Sequence, residues 1–385
     1  MNGKIVHLCV SAFFIDGYSY QENILPKYHA KMGYDVTVIA SLISFNEEGR
    51  SCLLDKESVH YENGYKVIRI DYKQGLLRKI YQKLRIYPKL YDVLEQEQPN
   101  IIFTHGIDFG SYPAVIKYIN NYPETILYGD NHGDFVNSAQ TFLSKQILYK
   151  VVWRYCVKKL VPYITMCFGV TPLRCNFLIQ MYKVPKEKVE FLPMGIDDDA
   201  IPQNRKEVRD AIRSQLNIKD TDFVIFTGGK IDRRKNIQNL LKVITSINDD
   251  RVHVIICGVV APEMQEEING LLTGNIHMMG WCNADKVMEN MVASDIACFP
   301  GTHSTLWEQS VGIGLPCVFK KWNGMTHVDM GGNSIFIDGE NIEELTSTIK
   351  SIVYTERFER IKQVAGTVAE NFRYSNIARK AIGLK

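Results

Sequence analysis

The sequence predicts an α/β fold with two Rossmann-like domains, each built on a doubly wound parallel sheet. Short runs of apolar and β-branched residues alternate with helical patterns along the whole chain. Near-continuous apolar strands separated by helices are typical of parallel sheets with crossover helices. The chain has 385 residues, more than one hydrophobic core usually serves, so two such domains are expected.

The predicted strands form two series, one in each half of the chain. The first series is Val6–Ala12, Val36–Ala40, Lys66–Ile70, Ile101–Thr104, Ile126–Tyr128 and Met166–Val170. The second series is Val224–Thr227, Val252–Cys257, Ile276–Met279, Ile296–Pro300 and Cys317–Lys320. Between them, the stretch Leu192–Pro202 contains prolines, a glycine and three consecutive acids, which are typical of a linker between domains.

Helical patterns lie between these strands, and two of them are rich in basic residues. The predicted helices are Glu22–Lys31, Leu76–Leu94, Gln146–Val161, Ile237–Ile247 and Asn376–Ile382. The helices Leu76–Leu94 and Gln146–Val161 mix lysine and arginine with leucine, isoleucine and aromatic residues. Basic amphipathic helices can lie on anionic lipid. An ordinary solvated helix face remains the alternative.

The composition excludes several classes of protein. Hydrophobic residues make up 45% and charged residues 23% of the chain, as in a soluble globular protein. The net charge of +2 argues against binding to nucleic acid. The first residues lead into a strand rather than a signal peptide, and no apolar run is long enough for a membrane helix. Nine cysteines without metal-ligand spacing fit a reduced, cytoplasmic setting.

The turn Thr227–Asn236 is the clearest candidate for a ligand site. Its sequence, Thr-Gly-Gly-Lys-Ile-Asp-Arg-Arg-Lys-Asn, follows an apolar strand and precedes an amphipathic helix. Two glycines at a strand end let a ligand approach the backbone closely. Lys230 and Lys235 then stand near a helix N-terminus, a combination that suits a diphosphate. Arg233 and Arg234 add charge, and a plain basic turn is the alternative.

Segments of the second half, taken in order, resemble family 4 of the retaining glycosyltransferases, which have the GT-B fold. The turn Gly228–Lys235 resembles the family's Gly-Arg-Leu…Lys turn, with Lys230 at the arginine position. The other matching segments are Met194–Asp197, Ile255–Gly258, Asn275–Trp281, Ala293–Pro300 and Gly314–Val318. The resemblance implies two Rossmann-like domains facing a central cleft, with the nucleotide sugar held by the second. It implies donor contacts from Gly17, Gly229, Arg234, His303, Ser304, Thr305 and Leu306.

In the first half, the resemblance points to two loops at strand ends. The segment Gly17–Asn23 stands where the family has a glycine-rich loop that opens a helix. The segment Tyr128–Asp134 stands where the family carries an active-site histidine, here His132. His105, which ends the preceding strand, is the rival candidate. The acceptor side is expected to include Tyr18, Gln21, Glu22, His105 and Asp130.

One loop departs from the family pattern. The family has two glutamates separated by seven residues before its Gly-x-Pro turn, and the second accepts hydrogen bonds from the ribose. Here the segment Pro300–Ser310 is about three residues shorter. Counting back from Gly314 places Gln309 at the second glutamate, whereas Glu308 would make the stronger, charge-assisted bond. The choice between them stays open, and His303 or Ser304 falls near the first glutamate.

The chemistry expected from these residues is sugar transfer without a metal or other cofactor. Lys230 and Lys235 can stabilise the charge that develops on a leaving diphosphate, and backbone N–H groups of 302–306 would help. No Asp-x-Asp motif stands at a suitable strand end, and Asp197–Asp199 lies in the linker. The resemblance implies retention of configuration by same-face attack, with His132 among the catalytic residues.

The resemblance therefore implies a division of labour between domains. Residues 1–197 would bind the acceptor, residues 198–370 the nucleotide sugar, and residues 371–385 would form a helix that packs back toward the first domain. A UDP-sugar donor and a saccharide or lipid-linked acceptor are expected, as in capsule or O-antigen assembly. Contact with an anionic membrane from the cytoplasmic side would then give the basic helices a use.

Two alternatives remain. A UDP-sugar 2-epimerase shares the architecture, although it needs paired carboxylates that are not obvious here. An inactive GT-B subunit that supports a partner transferase would fit the altered glutamate pair. A dehydrogenase is disfavoured because no Gly-x-Gly-x-x-Gly follows the first strand.

Overall fold

The computed structural model describes residues 2–46, 50–135, 138, 141–142 and 144–384. It divides into two compact units. Unit 1 comprises Met1–Pro193 and Ile377–Lys385, and unit 2 comprises Met194–Asn376. Unit 2 thus begins shortly before residue 198, where the sequence placed the second domain. Among the described residues, no helix has the length and apolar character needed to span a bilayer.

Unit 1 contains an eight-stranded sheet and a separate two-stranded one. The strands are β1 (Lys4–Cys9), β2 (Asp35–Ser41), β3 (Ile43–Phe45), β4 (Ser51–Leu53), β5 (Ser58–Glu62), β6 (Tyr65–Ile70), β7 (Ile101–His105), β8 (Ile126–Asn131), β9 (Ile164–Gly169) and β10 (Val189–Phe191). The large sheet has the order β10-β9-β8-β7-β1-β2-β6-β5 and is parallel except for the β5–β6 pair. Strands β3 and β4 pair antiparallel with each other.

The helices of unit 1 connect these strands. They are α1 (Gln21–Lys31), α2 (Arg78–Lys83), α3 (Leu90–Glu97), α4 (Tyr112–Asn121), α5 (Arg154–Leu160) and α6 (Pro172–Phe177). Two π-helical segments, Ser144–Trp153 and Leu178–Tyr182, precede α5 and follow α6. The predicted helix Gln146–Val161 is therefore present, but its first part is wound more widely than an α-helix.

The predicted single helix Leu76–Leu94 is wrong, because the chain breaks it into α2 and α3. Arg85 has a φ of 53°, in the left-handed region. Its guanidinium lies 2.8 Å from the carboxylate of Asp108. The side chain therefore turns inward instead of continuing a basic helix face. Pro88 follows, and a proline disfavours helical geometry in the residue before it.

Unit 2 contains a six-stranded, fully parallel sheet. Its strands are β11 (Phe223–Gly228), β12 (Val252–Cys257), β13 (Ile276–Gly280), β14 (Ile296–Phe299), β15 (Cys317–Lys320) and β16 (Ser334–Ile337), in the order β13-β12-β11-β14-β15-β16. The helices are α7 (Arg205–Gln215), α8 (Ile237–Ile247), α9 (Gln265–Asn269), α10 (Ala284–Ala293), α11 (Leu306–Ile313), α12 (Ile342–Ile352) and α13 (Glu356–Val368). A last helix, α14 (Tyr374–Ala381), contains the junction at which the chain passes back into unit 1.

Both faces of the unit 2 sheet are covered. Alternate residues of β11 belong to different hydrophobic clusters: Ile225 packs with α8 and α12, whereas Val224 and Phe226 pack with α10 and α11. Because successive side chains of a strand point to opposite faces, the near-continuous apolar runs of the sequence reflect burial on both sides. This is the doubly wound arrangement that the sequence predicted.

Each large sheet has one point at which the strand order reverses. In unit 1 it lies between β1 and β7, and in unit 2 between β11 and β14. Ligands of such sheets bind outside the carboxyl ends of the strands at this switch point. The loops after β1, β7, β11 and β14 are therefore the places where functional side chains are expected.

Candidate functional site

The turn after β11 in unit 2 is shaped by its glycines. Gly229 has a φ of 106°, a conformation that residues with a side chain rarely adopt. A Cβ on Gly228 would lie 2.5 Å from the carbonyl oxygen of Cys257, so this position also needs glycine. The backbone at Gly229 faces Leu306 and Lys235, whose nearest side-chain atoms would lie 3.8 and 3.9 Å from an added Cβ.

Lys235 joins this turn to the loop that precedes α11. Its Nζ donates to the carbonyl oxygens of Thr302 at 2.8 Å and His303 at 3.2 Å. The two backbones are in close contact, since Thr302 N–H donates to Arg234 at 2.8 Å and Gly301 leaves no room for a Cβ. Burial lowers the pKa of Lys235 to about 8. A cation thus stands at the switch point of unit 2, beside the first turn of α11.

The other predicted cations of the turn are more exposed. The Arg234 guanidinium binds the carboxylate of Asp232 at 2.7 Å, and its side chain is 73% exposed. Lys230 is also exposed. Neither is held in the turn as Lys235 is, and their predicted contacts with the donor stay predictions.

The loop before α11 brings two histidines onto one carboxylate. Nε2 of His303 and Nε2 of His327 each lie 2.8 Å from the same oxygen, Oε1 of Glu308. Glu308 is fully buried, and its other oxygen has no hydrogen-bond partner among the described residues. Burial alone would raise its pKa, but the two imidazoles lower it to about 2. Gln309, next along the helix, is only half-buried.

This arrangement bears on the ribose contact that the sequence left open. In the structure both imidazoles contact Oε1 of Glu308, whereas Oε2 has no hydrogen-bond partner among the described residues. Ser304, Thr305 and Leu306 lie between the histidine and the helix, where backbone N–H groups of the first turn lack partners within the helix. These predicted donor residues therefore lie together at the start of α11.

Two groups in the described part of the chain have the side chains and spacing to hold a metal ion. One is His303, Glu308 and His327. The other is the more exposed set Asp16, His60 and Glu62, in which Asp16 also pairs with Arg69 at 2.9 Å. In the first group the imidazoles already contact the carboxylate directly. The expectation that no metal takes part stays a prediction.

Asp130, at the end of β8, is the centre of the candidate site in unit 1. One of its oxygens, Oδ1, accepts the N–H of Gly106 at 3.0 Å. The other, Oδ2, lies 3.0 Å from Nδ1 of His105 and 3.1 Å from Nε2 of Gln21. Asp130 is completely buried, which by itself raises the pKa of a carboxyl, but the neighbouring His105 and His132 lower it. The site therefore holds a carboxylate.

His132 lies beside this carboxylate and is partly open to solvent. Its Nε2 is 3.5 Å from Oδ2 of Asp130 and 3.8 Å from Glu22, and its side chain is 31% exposed. Burial lowers the pKa of His132, but these two acids outweigh it, so the pKa is raised. The sequence-predicted residues Gln21, Glu22, His105, Asp130 and His132 thus come together.

A pocket of about 430 Å³ opens next to His132. Its wall carries polar groups of Ser11, Asp108 and Asn131 and aromatic rings of Phe13, Tyr149 and Tyr182. Arg85 also lines it, but its charge is paired with Asp108. The pocket therefore offers hydrogen-bond partners and flat apolar surfaces without a strong net charge.

Gly17 and Tyr18 lie in the exposed loop before α1. Gly17 has a φ of 74°, and its N–H is 3.3 Å from an oxygen of Glu62. The ring of Tyr18, which is 41% exposed, packs against Tyr20 and Phe45. The structure places neither residue in contact with the Asp130 group.

Sequence reasoning missed several residues of both sites. They are His7, His29, Arg85, Asp108 and His327. A usable signal existed for His7, because a histidine inside an otherwise apolar strand must find a buried partner. The others belong to stretches with no local pattern that points to a site.

Two family models match the chain in succession. Residues 25–200 match Glycosyltransferase Family 4, and residues 208–365 match Glycosyl transferases group 1. The two matches follow the two units and leave only a short stretch between them. The chain thus carries a Glycosyltransferase Family 4 domain followed by a Glycosyl transferases group 1 domain. No curated protein matches it in sequence.

Solved structures with the same fold cover nearly all of this glycosyltransferase. Anabaena Alr3699/HepE, solved with UDP, has a TM-score of 0.68 at 16% identity, and the match covers 98% of both chains. WaaG, involved in lipopolysaccharide biosynthesis, has a TM-score of 0.61 at 15% identity over 98% of this chain and 100% of its own. A provisionally assigned UDP-N-acetylglucosamine 2-epimerase from Listeria monocytogenes has a TM-score of 0.62 at 12% identity, and the match covers 98% of this chain and 94% of its own. At such identities the similarity establishes the two-domain fold of these GT-B enzymes.

Proposed function

We propose that the protein transfers a sugar from a nucleotide sugar to a saccharide or lipid-linked saccharide, with retention of configuration and without a metal. The observation that carries this proposal is the position of Lys235. It is a half-buried cation at the switch point of unit 2, in contact with the loop that leads into α11. A diphosphate bound there would form an ion pair with Lys235 and accept hydrogen bonds from the backbone N–H groups at the start of α11.

A UDP-sugar is the favoured donor. HepE has been solved with UDP and with UDP-glucose, and its fold matches this chain throughout. Breaking the bond between the sugar and the diphosphate places charge on the phosphate, and preorganised donors at that point lower the barrier. Lys235 would supply this charge stabilisation, assisted by Lys230, and the leaving phosphate would accept the proton of the acceptor hydroxyl.

The pocket beside His132 is the proposed acceptor site. A sugar offers hydroxyls, which suit the polar groups of Ser11, Asp108 and Asn131, and apolar faces, which suit the rings of Tyr149 and Phe13. The raised pKa of His132 favours a hydrogen-bond donor at the pocket wall. These features support the binding of a neutral saccharide in unit 1.

A lipid-linked acceptor in surface polysaccharide assembly is the finer form of the proposal. WaaG, which has a similar fold, is involved in lipopolysaccharide biosynthesis. Apolar side chains stand exposed near basic ones at two places in unit 1: Leu76, Leu77 and Ile80 at α2, and Ile147, Val151 and Tyr155 along the segment that ends in α5. Such surfaces bind anionic bilayers by burying apolar groups while lysines and arginines meet the headgroups.

The first experiment is a screen of nucleotide sugars by thermal shift, followed by assays for release of nucleoside diphosphate. A bound donor raises the melting temperature by an amount set by its concentration relative to its Kd. Acceptor-dependent release of UDP would support the transferase. Binding without any release would favour the inactive partner subunit, and conversion of the sugar to its 2-epimer would favour the epimerase.

The membrane part has its own test. The protein should sediment with anionic vesicles at low salt and remain in the supernatant at high salt. A variant with Leu76 and Leu77 changed to serine should sediment less, and one with Leu53→Ser, at another exposed leucine, should behave like the wild type. Equal sedimentation with neutral and anionic vesicles would refute the proposed binding to anionic membranes, but it would not affect the transferase proposal.

A further inference from the structure

Three buried histidines form a continuous chain behind the site in unit 1. His29 Nε2 lies 2.8 Å from the backbone carbonyl oxygen of Ala378. Its Nδ1 lies 2.9 Å from Nε2 of His7, whose Nδ1 lies 3.0 Å from Nε2 of His105. His105 Nδ1 then lies 3.0 Å from Oδ2 of Asp130. All three histidines and the carboxylate have no exposed surface.

The fold places these histidines on one side of the sheet. His7 is in the middle of β1, between Val6 and Leu8, which face the main hydrophobic cluster of unit 1. Because strand side chains alternate, His7 points to the other face, where α1 carries His29. The ring of His7 stacks with the rings of His29 and His105, with centroids 5.1 and 5.2 Å apart. Each contact of the row is direct, at 2.8–3.0 Å, so the rings hydrogen-bond to one another.

Counting protons fixes the charge of this chain. Four short contacts run from Ala378 through His29, His7 and His105 to Asp130, and each needs one hydrogen between its two atoms. The two ends, a carbonyl oxygen and a carboxylate, can only accept. Three neutral imidazoles supply only three hydrogens. One extra proton must therefore be present within the chain.

Hydrogen-bond counting allows the extra proton on any one of the three rings, and the position of the anion decides among them. Asp130 lies 3.0 Å from Nδ1 of His105, so the positive charge is most stable on His105. His105 then donates to Asp130 and to His7, His7 donates to His29, and His29 donates to the carbonyl of Ala378. Burial lowers the pKa of His29 to about 4 and that of His7 well below its ordinary value, which agrees with neutral rings at both positions.

We propose that His105 carries the extra proton as a doubly protonated imidazolium, and that His7, His29 and the Ala378 carbonyl are positioning groups that keep the proton there. The cation holds Asp130 as an oriented carboxylate toward His132. This inference rests on the proposed function only in assigning His132 to the reaction. The residues from Ile377 onward, which belong to unit 1, thereby become part of its site.

The other groups that face this chain do not supply the missing proton. Gln21 and the N–H of Gly106 donate to Asp130 and add no charge. Glu22 and Arg174 act on His132, from α1 and α6 respectively. Cys9, the next inward-facing residue of β1, is buried, and burial raises the pKa of its thiol, so it stays neutral.

The decisive measurement is the proton state of each imidazole nitrogen by nitrogen-15 NMR of histidine-labelled protein. The full chain at pH 7.5 should show His7 and His29 as neutral rings protonated at Nε2. His105 should show both nitrogens protonated, although an ordinary histidine is mostly neutral at this pH. A singly protonated His105 in the wild type would overturn the proposal, and this readout needs no activity.

Two substitutions at one position separate the chain from simple packing. In His29→Gln, the amide can donate to Ala378 and accept from His7, so His105 should remain doubly protonated. In His29→Leu, His7 loses its acceptor and reverses its tautomer, and two neutral rings then suffice for the two remaining contacts. His105 should become neutral. If both variants gave the same His105 signals, the chain would not set its charge.

Kinetics give a second readout. We expect His29→Leu to lower turnover on the order of tenfold, as for loss of an outer partner of a functional group, and His29→Gln to restore most of it. Donor affinity, assigned to unit 2, should not change in either. His277→Leu, which removes one ring of the separate His253–His277 pair in unit 2, serves as the control and should leave the His105 signals and turnover unchanged. Absence of sugar transfer in the wild type would refute the proposed function but not the NMR assignment.

Discussion

Binding of a nucleoside diphosphate to unit 2 is expected to weaken steeply above pH 8, because the proposed phosphate ligand loses its charge there. Burial lowers the pKa of Lys235 to about 8, whereas an ordinary lysine titrates at about 10.5. A diphosphate beside Lys235 favours the charged form and should return the pKa toward its ordinary value. Binding above pH 8 must then take up a proton.

The size of the effect follows from these two values. At pH 7 about nine-tenths of the free protein carries a charged Lys235, and at pH 9 only about a tenth does, while the complex stays protonated. Affinity should therefore fall about tenfold between pH 7 and pH 9, or ~1.4 kcal/mol. The phosphates of the ligand contribute little, since the last phosphate ionisation, near pKa ~6, is complete by then. Ionisation of the uracil ring at high pH is common to all variants and is subtracted by comparison with Lys235→Met.

Calorimetric titration with UDP tests this reasoning. At pH 9, in two buffers with different ionisation enthalpies, the apparent heats should reveal uptake of close to one proton. Lys235→Met should bind more weakly and show no such dependence. Lys242→Met, which removes a lysine paired with Glu267 on the flank of α8, should keep the wild-type dependence. A constant affinity from pH 7 to 9, or the same slope in Lys235→Met, would refute the assignment.

Four further expectations concern the same sites. At pH 7, Lys235→Ala and Lys230→Ala should each weaken UDP binding by roughly 1.5–3 kcal/mol, the range for a charged hydrogen bond; unchanged Kd values in both would refute the diphosphate site. Activity should survive excess EDTA, and loss with rescue by manganese or magnesium would reveal a metal site. His132→Ala should reduce kcat far more than donor affinity, because a group that acts in the transition state affects the rate; wild-type turnover would refute a catalytic role for His132. In a nucleotide complex, Glu308 or Gln309 should lie within about 3.5 Å of the ribose, and absence of both would disprove the alignment of this loop.

Much of the fold can be predicted from the sequence because its information is local. Burial of a parallel sheet on both faces requires near-continuous apolar strands, and runs such as Val252–Cys257 show this directly. The turn at Gly228 was likewise predictable, since two glycines at a strand end allow a close approach to the backbone and the lysines that follow supply positive charge. Short edge strands, such as β10 and β16, were missed because three or four residues give too little pattern.

Tertiary packing decided what local pattern could not. The segment Leu76–Leu94 has helical periodicity, yet Arg85 leaves it to pair with Asp108, a partner far along the chain. The sequence indicates that Glu308 is an available carboxylate on a helix, but the fold surrounds it with His303 and His327. Arg85 thus departs from the helix that its neighbours favour, whereas Glu308 stays in α11 and acquires partners from outside the helix.

The sequence by itself indicated the two parallel sheets, most of their inner strands and the cationic turn, because each depends on periodicity and residue type within about ten positions. Only the tertiary structure decided which strand ends meet. His7 and His105 are 98 positions apart, and His29 and Ala378 are 349 apart, yet strand order and the last residues of unit 1 place them in one hydrogen-bonded row. The charge of that row depends on the groups at both ends, which come together only when the sheet is assembled.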